Sequence, residues 1–184
     1  PGDPWYMYEI TGNPRQLNEW TDYPAIALTE HDLFYTVNLI EAGVSWQEGF
    51  RGSVIWQIPL DDAFNGVDPL PATFWDDIKF EGRYTRNLCP VEGVMGPTGS
   101  NMYFLSNRNF DIQNDSIFLI EVTDSYASNN AELKVSMGKT TTPYGMPPNG
   151  RQADTDTSIA ASGLQTNDSR MLGAFLHNNT IQYV

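Results

Sequence analysis

The chain has 184 residues, 40% apolar and 18% charged, with Trp 5, Tyr 9 and Phe 9; that is too aromatic for a disordered chain and long enough for one domain burying roughly 70% of its unfolded surface. The formal net charge is −13 and the basic residues are scattered without a run of Lys or Arg, which argues against nucleic acid and anionic membrane surfaces as partners, because counterion release needs a basic face. No stretch approaches the roughly 20 apolar residues of a membrane span and no basic-then-apolar signal opens the chain, while Cys89, the single cysteine, excludes an intrachain disulfide and reads as a small buried hydrophobe.

In chain order, Pro4 to Ile10 alternate and are aromatic-rich, then stop at the turn formers Thr11-Gly12-Asn13-Pro14, which predicts the closing strand of a unit that precedes residue 15. The rest of the chain is organised around the stretch from Trp20 to Leu60. Apolar runs at Pro24 to Thr29, Leu33 to Leu39 and Ser53 to Leu60, with a polar turn at Glu30-His31-Asp32, predict three successive antiparallel strands. Ala72 to Phe80 reads as a fourth, weaker edge strand after the break at Asp61 to Gly66. A second copy of this pattern starts near Leu88, with strands at Met102 to Leu105, Ile117 to Val122 and Glu132 to Met137. A third begins at Met171 to Leu176, turns at His177-Asn178-Asn179 and runs on through Thr180 to Val184. Between the last two copies, Thr140 to Asp168 holds Pro143, Gly145, Pro147 and Pro148; proline removes ladder donors, so this segment is expected to be a connection and not a central strand.

Helical periodicity with a cap and a stop is nearly absent. The expected fold is all-β, and recurrence of one four-strand order favours part of a β-propeller of four-stranded antiparallel blades over the alternative, a β-sandwich. The expected division is 1–14 as the end of one blade, 20–80 and 88–138 as two blades, 139–168 as a long connection and 169–184 as the start of a further blade. A chain that opens on Pro1 and stops at Tyr183-Val184 within a strand pattern is expected to be a piece of a longer protein.

Asp22-Tyr23-Pro24 before an apolar strand, the short turn before Leu33-Phe34, and Phe50-Arg51-Gly52-Ser53 before Ile55-Trp56 resemble the blades of large secreted bacterial β-propeller proteins. Pro147-Pro148-Asn149-Gly150-Arg151-Gln152 and Asn167-Asp168-Ser169-Arg170 are similar to the same group. The resemblance implies Bacteroidetes-like bacteria, export by type IX secretion and an extracellular or cell-surface location; it implies no particular activity, since propellers serve enzymes, lectins and scaffolds alike.

Residues with reactive chemistry read mainly as structural. Glu30, His31 and Asp32 suggest a base or a metal ligand, but neighbours on a hairpin diverge, and a solvated turn is the better reading; His177 is structural on the same grounds. Asp61-Asp62 and Asp76-Asp77 are adjacent pairs, whereas propeller glycosidases need carboxylates from different blades. Asp154-Thr155-Asp156 resembles a calcium loop but lacks its glycine and distal glutamate, and a helix-capping or turn role is expected. Trp5, Trp20, Trp46, Trp56 and Trp75 offer faces for sugar rings where exposed; Trp56 is expected in the core, Trp46 and Trp75 toward solvent. Asn114, Asn167 and Asn178 fit the glycosylation acceptor pattern, which matters only in a eukaryotic secretory route, and none is expected.

The sequence therefore assigns no catalytic, cofactor-binding or metal-ligating residue and no cofactor. It supports a non-enzymatic binding or assembly module with a protein or glycan partner. The alternatives are a carbohydrate-active propeller enzyme, hydrolase or lyase, with its acids outside this chain, and a secreted fragment held as partner or cargo in a larger complex.

Overall fold

The computed structural model describes residues 5–150 and 163–184. Strands make up 48% and helix 5% of it, so the chain is all-β. The first sheet is a meander, β1 (Glu19–Leu28), β2 (Asp32–Glu41), β3 (Phe50–Pro59) and β4 (Thr73–Trp75), in the order β1-β2-β3-β4. After the five-residue α1 (Leu60–Phe64) and the two-stranded hairpin β5 (Lys79–Phe80) and β6 (Arg83–Tyr84), a second meander begins. Its strands are β7 (Cys89–Gly93), β8 (Met102–Asn107), β9 (Asn114–Thr123) and β10 (Glu132–Tyr144), again in chain order.

The two meanders pack face to face. Ala27, Phe34 and Ile55 from the first meet Met102, Phe104, Phe118, Ile120 and Val122 from the second, and the Phe34 and Phe104 rings cross edge to face with centroids 6.2 Å apart. The outer face of the first sheet carries a second apolar cluster, Val37, Leu39, Val54, Trp56 and Ile58. Central strands apolar on both faces give the continuous runs seen in the sequence, where a half-exposed strand would alternate. A third cluster covers the outer face of the second sheet, where Cys89, Val91 and Leu105 meet Met171 and Ala174.

The hairpin β11 (Ala174–His177) and β12 (Thr180–Tyr183) joins this second sheet through parallel pairing of β11 with β7, Ala174 opposite Val91. The pair of left-handed residues at its tip, Asn178 (φ 48°) and Asn179 (φ 59°), is the turn geometry that closes a two-residue hairpin. It extends the sheet to the order β10-β9-β8-β7-β11-β12.

Several expectations need correction. Residues 5–10 form no strand. Their alternation is used against α1 and the turn that follows it instead: Tyr8 Oη donates to the Ala63 carbonyl at 2.8 Å and Tyr6 packs on Gly66, while Trp5 and Met7 are 96% and 95% exposed. Of Ala72 to Phe80, only three residues reach the ladder with β3, and Lys79–Phe80 leaves to pair with β6. The connection begins later than residue 139, because β10 runs to Tyr144 with a bulge between Lys139 and Tyr144. Pro143 is accommodated there because β10 is an edge strand. At the other end of the connection, the β11 ladder starts at Ala174 and not at Met171.

Candidate functional site

The segment Thr85-Arg86-Asn87 crosses from the first sheet to the second, and polar side chains inside the interface fix its course. Asn38 on β2 donates from Nδ2 to Asn87 Oδ1 at 2.6 Å; Asn38 Oδ1 accepts from the Asn87 backbone N–H at 3.1 Å and from the Ser53 hydroxyl at 2.8 Å. From the other sheet, Ser106 on β8 accepts the Arg86 N–H at 3.1 Å and donates to the Arg86 carbonyl at 2.6 Å. Asn87 takes a left-handed conformation, φ 51°, which asparagine tolerates. Arg86 is thus held by its backbone from both sides. Upstream, the Tyr84 ring lies 3.1 Å from where a Cβ would stand on Gly52, whose φ is +135°, so β6 lies against the bare backbone of β3.

These elements close a cleft of about 530 Å³ between the β6 hairpin, the β2–β3 loop and the chain leaving β8. Arg83, Arg86 and Arg108 line it. The Arg86 guanidinium carbon is 3.9 Å from the Phe50 ring centre and 4.9 Å from that of Phe110, and Trp46 backs Phe110 with centroids 5.5 Å apart. Arg108 lies 4.4 Å over the Phe118 ring and donates from Nη1 to the Tyr84 carbonyl at 2.8 Å. Its backbone N–H donates to Tyr144 Oη at 3.0 Å, and that hydroxyl donates to the Ser116 carbonyl at 2.6 Å. Aromatic faces thus set the planes of two guanidinium groups.

The charges of this cleft differ from those elsewhere. Among the described residues, Arg15, Arg51, Lys79, Lys134, Lys139 and Arg170 all pair with carboxylates, whereas Arg83, Arg86 and Arg108 have no such pairing. Burial pushes Arg86 down to about 10, a direction that Arg170 reinforces and Asp168 opposes. Arg108 is likewise lowered by burial and by the neighbouring Arg83, with Asp111 opposing. Asp168 is already engaged: burial works to raise it, but Arg170, with Nε 2.9 and 3.1 Å from its two oxygens, holds it below the usual carboxylate range.

Neutral groups complete the lining. Asn107 and Asn109 flank Arg108 and are 5% and 2% exposed. Asn107 Nδ2 donates to the Ser169 carbonyl at 2.7 Å. Asn109 Nδ2 has no hydrogen-bond partner among the described residues; it favours the ionised form of Asp168 without reaching hydrogen-bond geometry. Asp111, also in the lining, accepts from Asn114 Nδ2 at 2.7 Å.

Comparison of the chain with protein-family models, with curated proteins and with solved structures yields no match. The chemistry is therefore read from the side chains themselves. Partly desolvated guanidinium groups offer planar forks of donors, which bind carboxylate, sulfate or phosphate oxygens in pairs.

The residues singled out in the sequence lie elsewhere. His31 is exposed, 4.0 Å from Glu30, as a solvated turn requires, but Asp32 departs from that reading: it is 1% exposed and accepts from Gln57 Nε2 at 2.8 Å and from the Tyr126 N–H at 2.9 Å. It clamps one meander to the other. His177 is exposed. Asp76 pairs with Arg15 and Asp77 with Lys79; Asp61 and Asp62 open α1. Trp56 is buried as expected and Trp46 is 41% exposed. Trp75 packs against the inter-sheet core and not toward solvent, because the alternation of β4 turns Phe74 outward and Trp75 inward. Cys89 is 5% exposed, and burial, with a smaller effect of Glu92, raises its thiol to about 11. Asp154-Thr155-Asp156 falls outside the described residues. No helix among the described residues is long and apolar enough to cross a membrane.

The three arginines were missed because they are spread along the chain. The available signal was local composition: Arg83 and Arg86 flank Tyr84-Thr85, and Arg108 lies in Asn107-Arg108-Asn109-Phe110, runs that mix cations, amides and rings.

Proposed function

We propose that the chain is a non-enzymatic binding module of an extracellular or cell-surface protein, and that it holds its ligand by an anionic group in the cleft of Arg83, Arg86 and Arg108. The observation that carries this reading is the gathering, in one cleft, of the described cations that form no salt bridge with a carboxylate among the described residues. Two of them are partly desolvated at a cost to the charged form, and an arriving anion offsets that cost.

The scaffold of the proposal is a propeller-type stack. Two meanders of identical strand order, face to face, are what adjoining blades would present, and a structure of the chain within its parent protein distinguishes a ring from a two-sheet sandwich. For the binding function, calorimetric titration of citrate is the test. Saturable one-to-one binding, weakened at least tenfold by Arg86→Gln, supports it. Absence of saturable binding, or binding that Arg86→Gln leaves unchanged, contradicts it.

A further inference from the structure

We infer that the ligand of this cleft is a small hydroxylated acid of sugar size, a uronic-acid-type saccharide unit, and not a polymeric polyanion or a bare oxyanion. The inference rests on the binding function proposed above and concerns what the site selects.

Size comes first. A cleft of about 530 Å³ is within the usual small-molecule range of about 300–1,000 Å³. Charge comes second. The three arginines are a local island on a chain of net charge −13. At physiological ionic strength a charge is felt over about 8 Å, so a compact anion seated among the arginines is shielded from the acidic surface around it. A long polyanion has to run out over that surface and is repelled by it.

Lining chemistry comes third. The cleft is not purely cationic. Asp111 shares it with Arg108; Asn114 Nδ2 engages one of its oxygens, and the remaining acceptor capacity of the carboxylate accommodates a donor from the ligand. Asn109 contributes an amide to the lining, its Nδ2 buried and directed at Asp168. Gln47 adds another amide. A bare sulfate or phosphate satisfies the arginines but is repelled by Asp111 and, when fully ionised, offers it no donor. An acid bearing several hydroxyls satisfies both, since each hydroxyl donates and accepts, and the Phe50 and Phe110 rings give its carbon skeleton an apolar wall.

The probes are D-glucuronate, D-glucose, sulfate, L-glutamate and heparin, titrated into the intact chain by calorimetry at fixed ionic strength. The expected result is glucuronate binding at least tenfold tighter than the other four, loss of at least tenfold in Arg83→Gln and Arg86→Gln, and weakening of glucuronate but not sulfate in Asp111→Asn. Arg83 is exposed, so its variant preserves the fold if Arg86→Gln does not, with near-ultraviolet circular dichroism as the check. Sulfate binding as tightly as glucuronate, or Asp111→Asn without effect on glucuronate, overturns the hydroxylated-acid assignment and leaves the anion-binding module standing. Tighter binding of glutamate or heparin also overturns the assignment while sparing the module. Glucose binding as tightly as glucuronate, or no binding by any probe, overturns both.

Discussion

Asn38 Nδ2 donates to Asn87 Oδ1 across 2.6 Å, from a strand of the first meander to the residue next after Arg86. The same Asn38 takes two further hydrogen bonds through Oδ1, so one amide sets the backbone of a cleft arginine. Removing it takes these partners from the Asn87 side-chain oxygen and the Asn87 backbone N–H in a buried interface, while the Ser53 hydroxyl keeps the Thr85 carbonyl at 3.3 Å. Unmet buried polar groups cost about 1–3 kcal/mol each. Asn38→Ala is expected to lower the unfolding free energy by about 2–3 kcal/mol in urea denaturation; a loss under about 0.5 kcal/mol would show that the amide network does not hold the sheets.

Arg86 presents the opposite case. Its charged form is disfavoured by burial, and the contacts with Phe50 and Phe110 recover only part of that. The side chain retains access to solvent, so the net burden is about 1 kcal/mol or less. Because the folded value lies below the unfolded one, the penalty is fully present at neutral pH and is relieved only as pH rises through about 10. Arg86→Met is therefore expected to leave stability unchanged or raise it by about 1 kcal/mol while removing anion binding. Thermal unfolding checks this, and a loss of stability beyond about 1 kcal/mol would mean that the arginine serves the fold and not the site.

Asp168 governs the acid limb. Its folded value is depressed chiefly by the Arg170 side chain working against burial, so it stabilises the fold above the unfolded value of about 3.9 and loses that contribution as pH falls through the lower, folded value. Asp168→Asn is expected to cost about 2 kcal/mol at pH 7, because Arg170 is left without its counter-charge. It should also flatten the decline in stability between about pH 5 and pH 2. Stability curves recorded against pH for both proteins decide it; parallel acid limbs would contradict the assignment.

Asp32 is a further tie. It accepts from Gln57 on the neighbouring strand and from the backbone at Tyr126, after the second meander's third strand. Asp32→Ala is expected to destabilise by about 2–4 kcal/mol, because a buried donor and a buried N–H lose a charged acceptor together. Hydrogen exchange at the Tyr126 amide is the local readout, and unchanged protection there would refute the clamp.

The strands of the first meander were legible because Leu33 to Leu39 and Ser53 to Leu60 are apolar on both faces and bounded by turn formers. The second meander was legible by the return of the same order. Where alternation served something other than a ladder, the reading failed: Tyr6 and Tyr8 alternate with Trp5 and Met7 to pack on α1 and the turn after it, and Pro143 is admitted on an edge that only the strand order reveals. Asp32 read as a turn residue because its partners, Gln57 and Tyr126, are distant in the chain. The cleft was hidden for the same reason. Arg83, Arg86 and Arg108 meet only once the meanders stack, and their scattering in the sequence argued against the basic surface that folding assembles.

The most direct test of the cleft is the set of arginine Nε–Hε resonances of the labelled protein as D-glucuronate is added. Selective shifts of Arg83, Arg86 and Arg108, with Arg15, Arg51 and Arg170 unmoved because carboxylates already hold them, are the predicted result. Shifts spread over all the arginines alike, or confined to those already paired, would contradict it.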